Sequence, residues 1–198
     1  MPEICIYCQV HQPYRLARYR LFDVGSGRSY FDDAENQRIL RRVADKCYRP
    51  VNRLFAELIR RWEGRFKLAL SISGTLLDQM AESAPDALES FQDLVDTGGV
   101  ELLGETYHHS LSALGDEDEF REQVRLHRRA IDRWFGRRPQ VFRNTELIYS
   151  DALAPVIAEL GFRGALVEGA SHVLGWRSPN YVYEASQAPG LRLLPRNY

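Results

Sequence analysis

The stretch QVFRNTELIYSDALAPVIAELGFRGALVEG, residues 140–169, has the pattern of a β-strand, a helix and a second β-strand. QVFRNT (140–145) begins with residues that favour strands, and residues 151–160 have the apolar spacing of a helix that ends at Gly161. GALVEG (164–169) is the second strand. Because two parallel strands need a crossover connection that is usually a helix, this unit predicts a parallel pair in an α/β fold.

The same alternation continues along the rest of the chain. Pro50 predicts either two helices or a kink within residues 36–62, and residues 171–186 have no regular pattern. The strand bodies are apolar throughout, which predicts parallel strands covered on both faces. Further strands are predicted over residues 4–10, 66–73, 100–105 and 191–197, and helices over 36–62, 75–81, 85–97 and 117–135.

The composition narrows the classes of partner. Of 198 residues, 26 are Lys or Arg and 27 are Asp or Glu, so the formal net charge of −1 gives no attraction to nucleic acid or to an anionic membrane. No stretch approaches the roughly 20 apolar residues of a membrane helix, and MPEICIYCQVHQP lacks the basic start of a secretory signal. We therefore expect a cytoplasmic protein with a small, roughly neutral partner. The length suits one domain, or part of an α/β barrel, which usually needs about 250 residues.

The three cysteines, Cys5, Cys8 and Cys47, are odd in number. Cys5 and Cys8 have the spacing of a CxxC pair, yet residues three apart on a strand point to opposite faces. We therefore expect buried thiols and not a metal-binding or redox pair.

Polar and ionisable residues follow each predicted strand. In parallel α/β folds such groups converge, because the carboxyl ends of the strands share one rim. Aromatic side chains lie beside these segments, which is typical of sugar binding but also of apolar cores. Six polar segments at one rim predict a functional site there, and they are His11-Gln12-Pro13, residues 71–75, residues 104–110, residues 143–146, Glu168-Gly169 and residues 195–197.

Each of these residues also has a structural interpretation. His11 could close a turn by bonding to the backbone, and Glu105 could cap the next segment or pair with an arginine. Glu146 could cap the helix over residues 151–160, but Ser150 and Asp151 are better placed for that role. Glu146 is therefore the strongest candidate for a functional carboxylate.

Three segments resemble the first three sequence regions of glycoside hydrolase family 57, namely QVHQPYR (9–15), ELLGETYHHS (101–110) and VFRNTELIYS (141–150). A fourth segment, LVEGASHVLGWRSPNYVY (166–183), is similar to the amylase-like branch of that family. The resemblance implies a retaining enzyme that acts on α-glucans or malto-oligosaccharides. It also implies a distorted, TIM-like (β/α)7 barrel, of which residues 1–198 would be the N-terminal portion.

The resemblance assigns roles to individual residues. Glu146 matches the family's nucleophile, and His11 matches the histidine of the HQP motif that lines the sugar subsite. His109 matches the position of a sugar contact for which several members have Glu, and Trp176 resembles a subsite wall. The remaining residues expected to bind substrate are Gln12, Glu105 and Arg143, and a positive charge on Arg143 or on a histidine would favour an ionised nucleophile. No metal and no cofactor is expected.

The family's acid/base residue has no match in this sequence. Retaining hydrolysis needs two carboxyl groups about 5–5.5 Å apart, one that attacks and one that protonates the leaving oxygen. In the family the second is an Asp that follows the LPRN-like segment, and here the sequence ends at Tyr198 directly after it. We therefore expect the acid/base residue beyond residue 198 and little catalysis from residues 1–198 alone.

Two other functions compete with this prediction. One is a glucan-binding, amylase-like protein without turnover. The other is a metal-dependent polysaccharide deacetylase, although an HxxxH signature is missing and adjacent histidines on an extended chain point to opposite faces. Its metal would be held by His11, Glu105, His108, His109 and Glu146. The sequence does not separate hydrolase, transglycosidase and branching activities, and it leaves the oligomeric state open.

Overall fold

A computed structural model describes residues 4–197, which form two compact units. The first unit contains residues 4–9, 68–74 and 101–197, and the second contains residues 10–67 and 75–100. Among the described residues, no helix is both long enough and apolar enough to cross a membrane.

The strands form two sheets. The first has the order β1-β2-β3 and the second has the order β4-β5-β7-β6. In the second sheet β4, β5 and β7 are parallel, with Phe142 opposite Ala165 and Ala165 opposite Leu193, whereas β6 is antiparallel to β7. The strands are β1 (Tyr7–Val10), β2 (Leu68–Ile72), β3 (Val100–Leu102), β4 (Val141–Arg143), β5 (Gly164–Val167), β6 (Tyr183–Glu184) and β7 (Arg192–Pro195).

Gly104 joins the two sheets just after β3. Its N–H donates to the carbonyl of Val141 at 2.8 Å, and its carbonyl accepts from the N–H of Arg143 at 2.7 Å. A glycine is required because a Cβ at this position would lie 2.5 Å from the ring of Phe162. The segment after β3 is therefore held beside the end of β4.

The helices lie between the strands, as the alternating pattern predicts. α5 begins at the Asp116 cap, whose carboxylate accepts from the N–H of Glu119 at 3.0 Å, and it ends at Gly136 with a φ of 60°. The helices are α1 (Asp33–Val43), a π-helical segment (Ala44–Tyr48), α2 (Arg49–Arg61), α3 (Gly74–Ser83), α4 (Pro85–Asp96), α5 (Glu117–Phe135), α6 (Ala154–Glu159) and α7 (Ser171–Leu174).

Pro50 lies in the first turn of α2, directly after the π-helical segment that joins α1 to α2. The predicted helical stretch over residues 36–62 therefore contains two α-helices, α1 and α2, with the π-helical segment between them. Within the second unit α2 packs against α4. There the Asn52 amide donates to the Ser90 hydroxyl at 3.0 Å.

Apolar residues cover both faces of the strands in the first unit. On one face Phe142 packs with Phe120 of α5 and Ile157 of α6. On the other face Ala69, Leu103, Leu147 and Leu166 form a separate cluster, joined by Tyr7, Val141 and Leu194, which we call the inner cluster. Neighbouring residues of a strand point to opposite faces, so these two clusters explain why the strand bodies are apolar throughout.

Several local predictions are wrong. Cys5 and Cys47 are exposed and Cys8 is half-buried. Cys5 precedes β1, Cys8 lies on β1, which is the edge strand of its sheet, and Cys47 lies on the π-helical segment. α6 begins at Ala154, and neither Ser150 nor Asp151 caps it. Asp151 instead accepts from the Ser186 hydroxyl at 2.6 Å. The strand β6 was not predicted, since two residues give no usable periodicity.

Candidate active site

Glu146 lies in a strained turn at the carboxyl end of β4. Its φ is 52°, and the next residue, Leu147, has a φ of 57°. The left-handed region disfavours residues with a Cβ, so two in succession need support from their surroundings. The Glu146 side chain is 71% exposed, whereas Leu147 is 1% exposed and belongs to the inner cluster. A buried leucine thus anchors an exposed carboxylate.

Hydrogen bonds hold this turn from both sides. The N–H of Leu147 donates to the Asn144 carbonyl at 2.9 Å, and the Asn144 amide donates to the Ile148 carbonyl at 2.9 Å. The hydroxyls of Thr145 and Thr106 are 3.0 Å apart, so the turn after β4 is bonded to the segment after β3.

His109 faces Glu146 from that neighbouring segment. Its Nε2 is 3.5 Å from a carboxylate oxygen of Glu146, and its Nδ1 is 3.4 Å from a carboxylate oxygen of Glu105. The Gln9 amide nitrogen lies 2.9 Å from Nδ1 and 3.1 Å from Nε2, against the ring edge that carries both nitrogens. His109 also has a positive φ of 55°. Among residues 4–197, three of the four non-glycine residues with positive φ are therefore His109, Glu146 and Leu147.

Glu105 lies beneath His109 and has no exposed surface. Its carboxylate accepts from the Ser71 hydroxyl at 2.8 Å. Its backbone N–H donates to Nδ1 of His127 at 3.4 Å. The predictions that Glu105 caps a helix or pairs with an arginine do not describe these contacts.

His127 is a functional-site residue that the sequence did not reveal. It lies in the middle of α5, is fully buried, and its Nε2 is 2.9 Å from the carbonyl of Ile72. A carbonyl only accepts, so Nε2 carries the proton and Nδ1 is free to accept from Glu105. Burial lowers the pKa of His127, although Glu105 and the bond to Ile72 act in the opposite direction, and the ring is therefore neutral at pH 7.

Arg143 is buried at the end of β4. It is 5% exposed, and its Nε and Nη1 have no hydrogen-bond partner among residues 4–197. The Oδ1 of Asn144 beside it is also unpartnered within that range. Two hydrogen-bond donors of Arg143 and one acceptor of Asn144 thus lack partners among the described residues just before the Glu146 turn.

Comparison with known proteins identifies the family. The sequence profile described as Glycosyl hydrolase family 57 matches residues 5–198. The chain belongs to glycosyl hydrolase family 57. Its family 57 relatives include a protein of Methanocaldococcus jannaschii named "Putative alpha-amylase", which is 44% identical over 193 residues. That match covers 96% of this chain and 40% of the relative, so the chain spans well under half of the relative's length.

Solved structures agree with this family 57 assignment. The 4-alpha-glucanotransferase from Thermococcus litoralis superimposes with a TM-score of 0.73 at 17% identity, covering 96% of this chain and 27% of that enzyme. A GH57-type branching enzyme from Pyrococcus horikoshii gives a TM-score of 0.73 at 16% identity, covering 99% and 47% of the two chains. At these identities the likeness concerns the fold, and it confirms the predicted α/β fold of the (β/α)7-barrel type with its parallel sheet.

The other predicted residues of this family 57 chain lie in two places. His11 and Gln12 follow β1 within the second unit, where both are half-buried. The Gln12 side chain accepts from the Arg15 guanidinium at 3.0 Å, and its backbone carbonyl accepts from Gln79 at 2.7 Å. Trp176 follows α7 in the first unit and is 96% exposed. The structure therefore brings together Glu105, His109 and Glu146, and leaves Trp176 on an exposed loop.

A metal site does not emerge from the described residues. Within residues 4–197, no group of three or more His, Cys, Asp or Glu side chains is arranged to hold a metal ion. The second carboxyl group that the retaining mechanism requires is likewise not assigned to any of these residues.

Proposed function

We propose that this family 57 chain contributes the nucleophile of a retaining enzyme that acts on α-glucans, and that the nucleophile is Glu146. The observation that carries the proposal is the exposed Glu146 carboxylate, which is held in a left-handed turn at the end of β4 with His109 3.5 Å away. Strained backbone is concentrated at functional sites, and the carboxyl ends of the strands are where α/β barrels place their reactive groups.

The proposed chemistry has two steps. Glu146 attacks the anomeric carbon while the bond to the leaving oxygen breaks, and a second carboxyl group protonates that oxygen. Water or a sugar hydroxyl then gives its proton to the second carboxyl group, now a carboxylate, attacks the anomeric carbon of the glycosyl ester and releases Glu146. Water gives hydrolysis and a sugar hydroxyl gives transfer, so one nucleophile serves both amylase and transferase activities.

Other residues would bind the sugar or support the charge. We assign hydroxyl contacts to His11, Gln12 and His109, and a stacking surface to the exposed indole of Trp176. The unpartnered positive charge of Arg143 favours an anion at the end of β4. These assignments rest on the family resemblance together with the positions of the side chains.

The test uses a substrate that does not need the second carboxyl group. A fluorinated α-glucosyl fluoride loses fluoride without being protonated, and its ring fluorine slows release of the ester. We expect incubation with this reagent to add one glycosyl group to the peptide that contains Glu146, as measured by peptide mass mapping. Glu146→Gln should reduce the labelling rate at least about a thousandfold and leave oligosaccharide binding intact.

Glu159→Gln is the matched control. Glu159 is similarly exposed, at 63%, but lies on α6, where it pairs with Arg121. Glu159 should not be labelled in the wild-type protein. In the Glu159→Gln variant, Glu146 should be labelled at the wild-type rate. A label on another carboxylate would remove Glu146 from the nucleophile role. Sugar binding without any label would favour a glucan-binding protein that has no turnover.

A further inference from the structure

Glu105 cannot contact a substrate directly, because its side chain has no exposed surface. It follows Leu103 of the inner cluster by two residues, in the segment directly after β3. A buried carboxylate is expensive unless hydrogen bonds or charges compensate for its lost hydration. Its partners therefore indicate what it does.

Two contacts fix Glu105 in place. One carboxylate oxygen accepts from the buried Ser71 hydroxyl at 2.8 Å. The backbone N–H donates to His127, whose other nitrogen bonds to the carbonyl of Ile72 at the end of β2. A single side chain of α5 thus ties the segment after β3 to the end of β2.

Gln123 extends this support one helical turn earlier on α5. Its Oε1 accepts from the backbone N–H of His108 at 3.2 Å, and its own amide is held by Glu119 at 2.7 Å. Gln123 and His127 are four residues apart and therefore lie on the same face of the helix. Together they hold the backbone at two points, Glu105 and His108, of the segment that leads into His109.

The second carboxylate oxygen of Glu105 remains for His109. It lies 3.4 Å from Nδ1, while the opposite ring nitrogen lies 3.5 Å from Glu146. We propose that Glu105 is a positioning residue that acts through His109, turning the Nε2 edge of the ring toward the Glu146 carboxylate. This proposal rests on the proposed function, in which Glu146 is the nucleophile.

The arrangement gives the two oxygens of Glu146 different environments. His109 faces Oε1, so the other oxygen remains for attack on the anomeric carbon. A proton on Nδ1 is directed at Glu105. An acid that orients a histidine, which in turn faces the reacting group, follows the general logic of catalytic triads. His127 fixes Glu105 and is the second positioning residue.

The kinetic test compares two substitutions in labelling by the fluorinated glucosyl fluoride. Glu105→Gln keeps the size of the side chain and an oxygen that can accept from Ser71, but it presents an N–H to His109. We expect the labelling rate at saturating reagent to fall about 10- to 100-fold, with the half-saturating concentration changed less than about twofold. Glu159→Gln, which changes a carboxylate that pairs with Arg121 on α6, should change the rate less than about threefold.

A second measurement does not depend on the reaction. In long-range 1H–15N spectra of histidine-labelled protein, His109 should carry a proton on Nδ1 in the wild type, with the Gln9 amide donating to Nε2 at 3.1 Å. In Glu105→Gln, with the amide oxygen kept on the Ser71 hydroxyl, the amide N–H faces Nδ1, so the ring should change to the Nε2–H tautomer. His127 should have the Nε2–H tautomer in both proteins, and the signals of His172 should not move. A His109→Gln variant assigns the resonances.

The outcomes separate the two proposals. Failure to label Glu146 in the wild type would overturn the proposed function, and the tautomer of His109 would then decide the positioning role alone. Labelling of Glu146 at an unchanged rate in Glu105→Gln would overturn the positioning role. An unchanged His109 tautomer in Glu105→Gln would also overturn the positioning role. An Nδ1–H tautomer for His127 would overturn it as well, and that measurement uses only the wild-type protein.

Discussion

Glu146 keeps a left-handed backbone although it is not a glycine, and this predicts a conflict between stability and activity. Its φ is 52° and its side chain is 71% exposed, so the side chain adds little packing. Alanine at this position keeps the steric cost of the left-handed conformation, whereas glycine adopts the same conformation without that cost. Both variants lose the carboxylate and its contact with His109, so the difference between them isolates the backbone contribution.

The expected difference in the free energy of unfolding between the glycine and alanine variants follows from two opposing contributions. A left-handed conformation costs a residue with a Cβ roughly 1–2 kcal/mol, and glycine loses roughly 0.5–1 kcal/mol more than alanine in conformational entropy on folding. Glu146→Gly should therefore be more stable than Glu146→Ala by about 0.8 kcal/mol. For a chain of 198 residues this corresponds to about 2–3 °C in Tm.

Urea unfolding of the two variants, followed by circular dichroism, measures this difference. Equal m-values are required, because an altered slope would mean that the variants differ in more than the turn. Neither variant should be labelled by the fluorinated reagent. An alanine variant as stable as the glycine variant would show that the backbone of Glu146 is not strained, and the structural argument for a specialised turn would fail.

Two further predictions concern neighbouring groups. Arg143→Met removes a buried guanidinium whose Nε and Nη1 lack partners among residues 4–197. The free energy of unfolding, measured by urea denaturation, should therefore rise by about 1–3 kcal/mol. A lower free energy of unfolding in the variant would show that the charge is compensated. Burial and the nearby Asp151 raise the pKa of Tyr149 to about 12 from its usual value near 10. As the pH rises, Tyr149 ionises first in the unfolded state, so it should contribute stability below pH 10 that disappears between pH 10 and 12. In Tyr149→Phe the free energy of unfolding, measured across that pH range, should fall less than in the wild type. Identical pH profiles for the variant and the wild type would contradict this assignment.

The sequence predicts the framework of the fold because strands and helices alternate with strong apolar patterns. The unit over residues 140–169 has the predicted strand, helix and parallel strand. The polar residues after β3 and β4 could also be found, since a carboxylate that ends an apolar strand is conspicuous. The structure brings Glu105, His109 and Glu146 together, although their roles remain predictions.

Other features leave no signal that the sequence could reveal. His127 is one polar residue within a long, arginine-rich helix, and only the tertiary contacts with Glu105 and Ile72 distinguish it. The burial of Glu105 depends on Ser71 and on packing from distant parts of the chain. The partial exposure of Cys8 depends on the position of β1 at a sheet edge, which local patterns do not encode.

Leu147 connects the reactivity of the site to the interior of the protein. Its neighbour Glu146 points outward, while Leu147 itself packs with Ala69, Leu103 and Leu166 in the inner cluster. A change of volume at Ala69 or Leu166 would therefore move the carboxylate without altering any group that touches the sugar. Directed evolution of this protein should then recover rate-altering substitutions deep in the sheet, and such variants would look like stability mutants until their kinetics were measured.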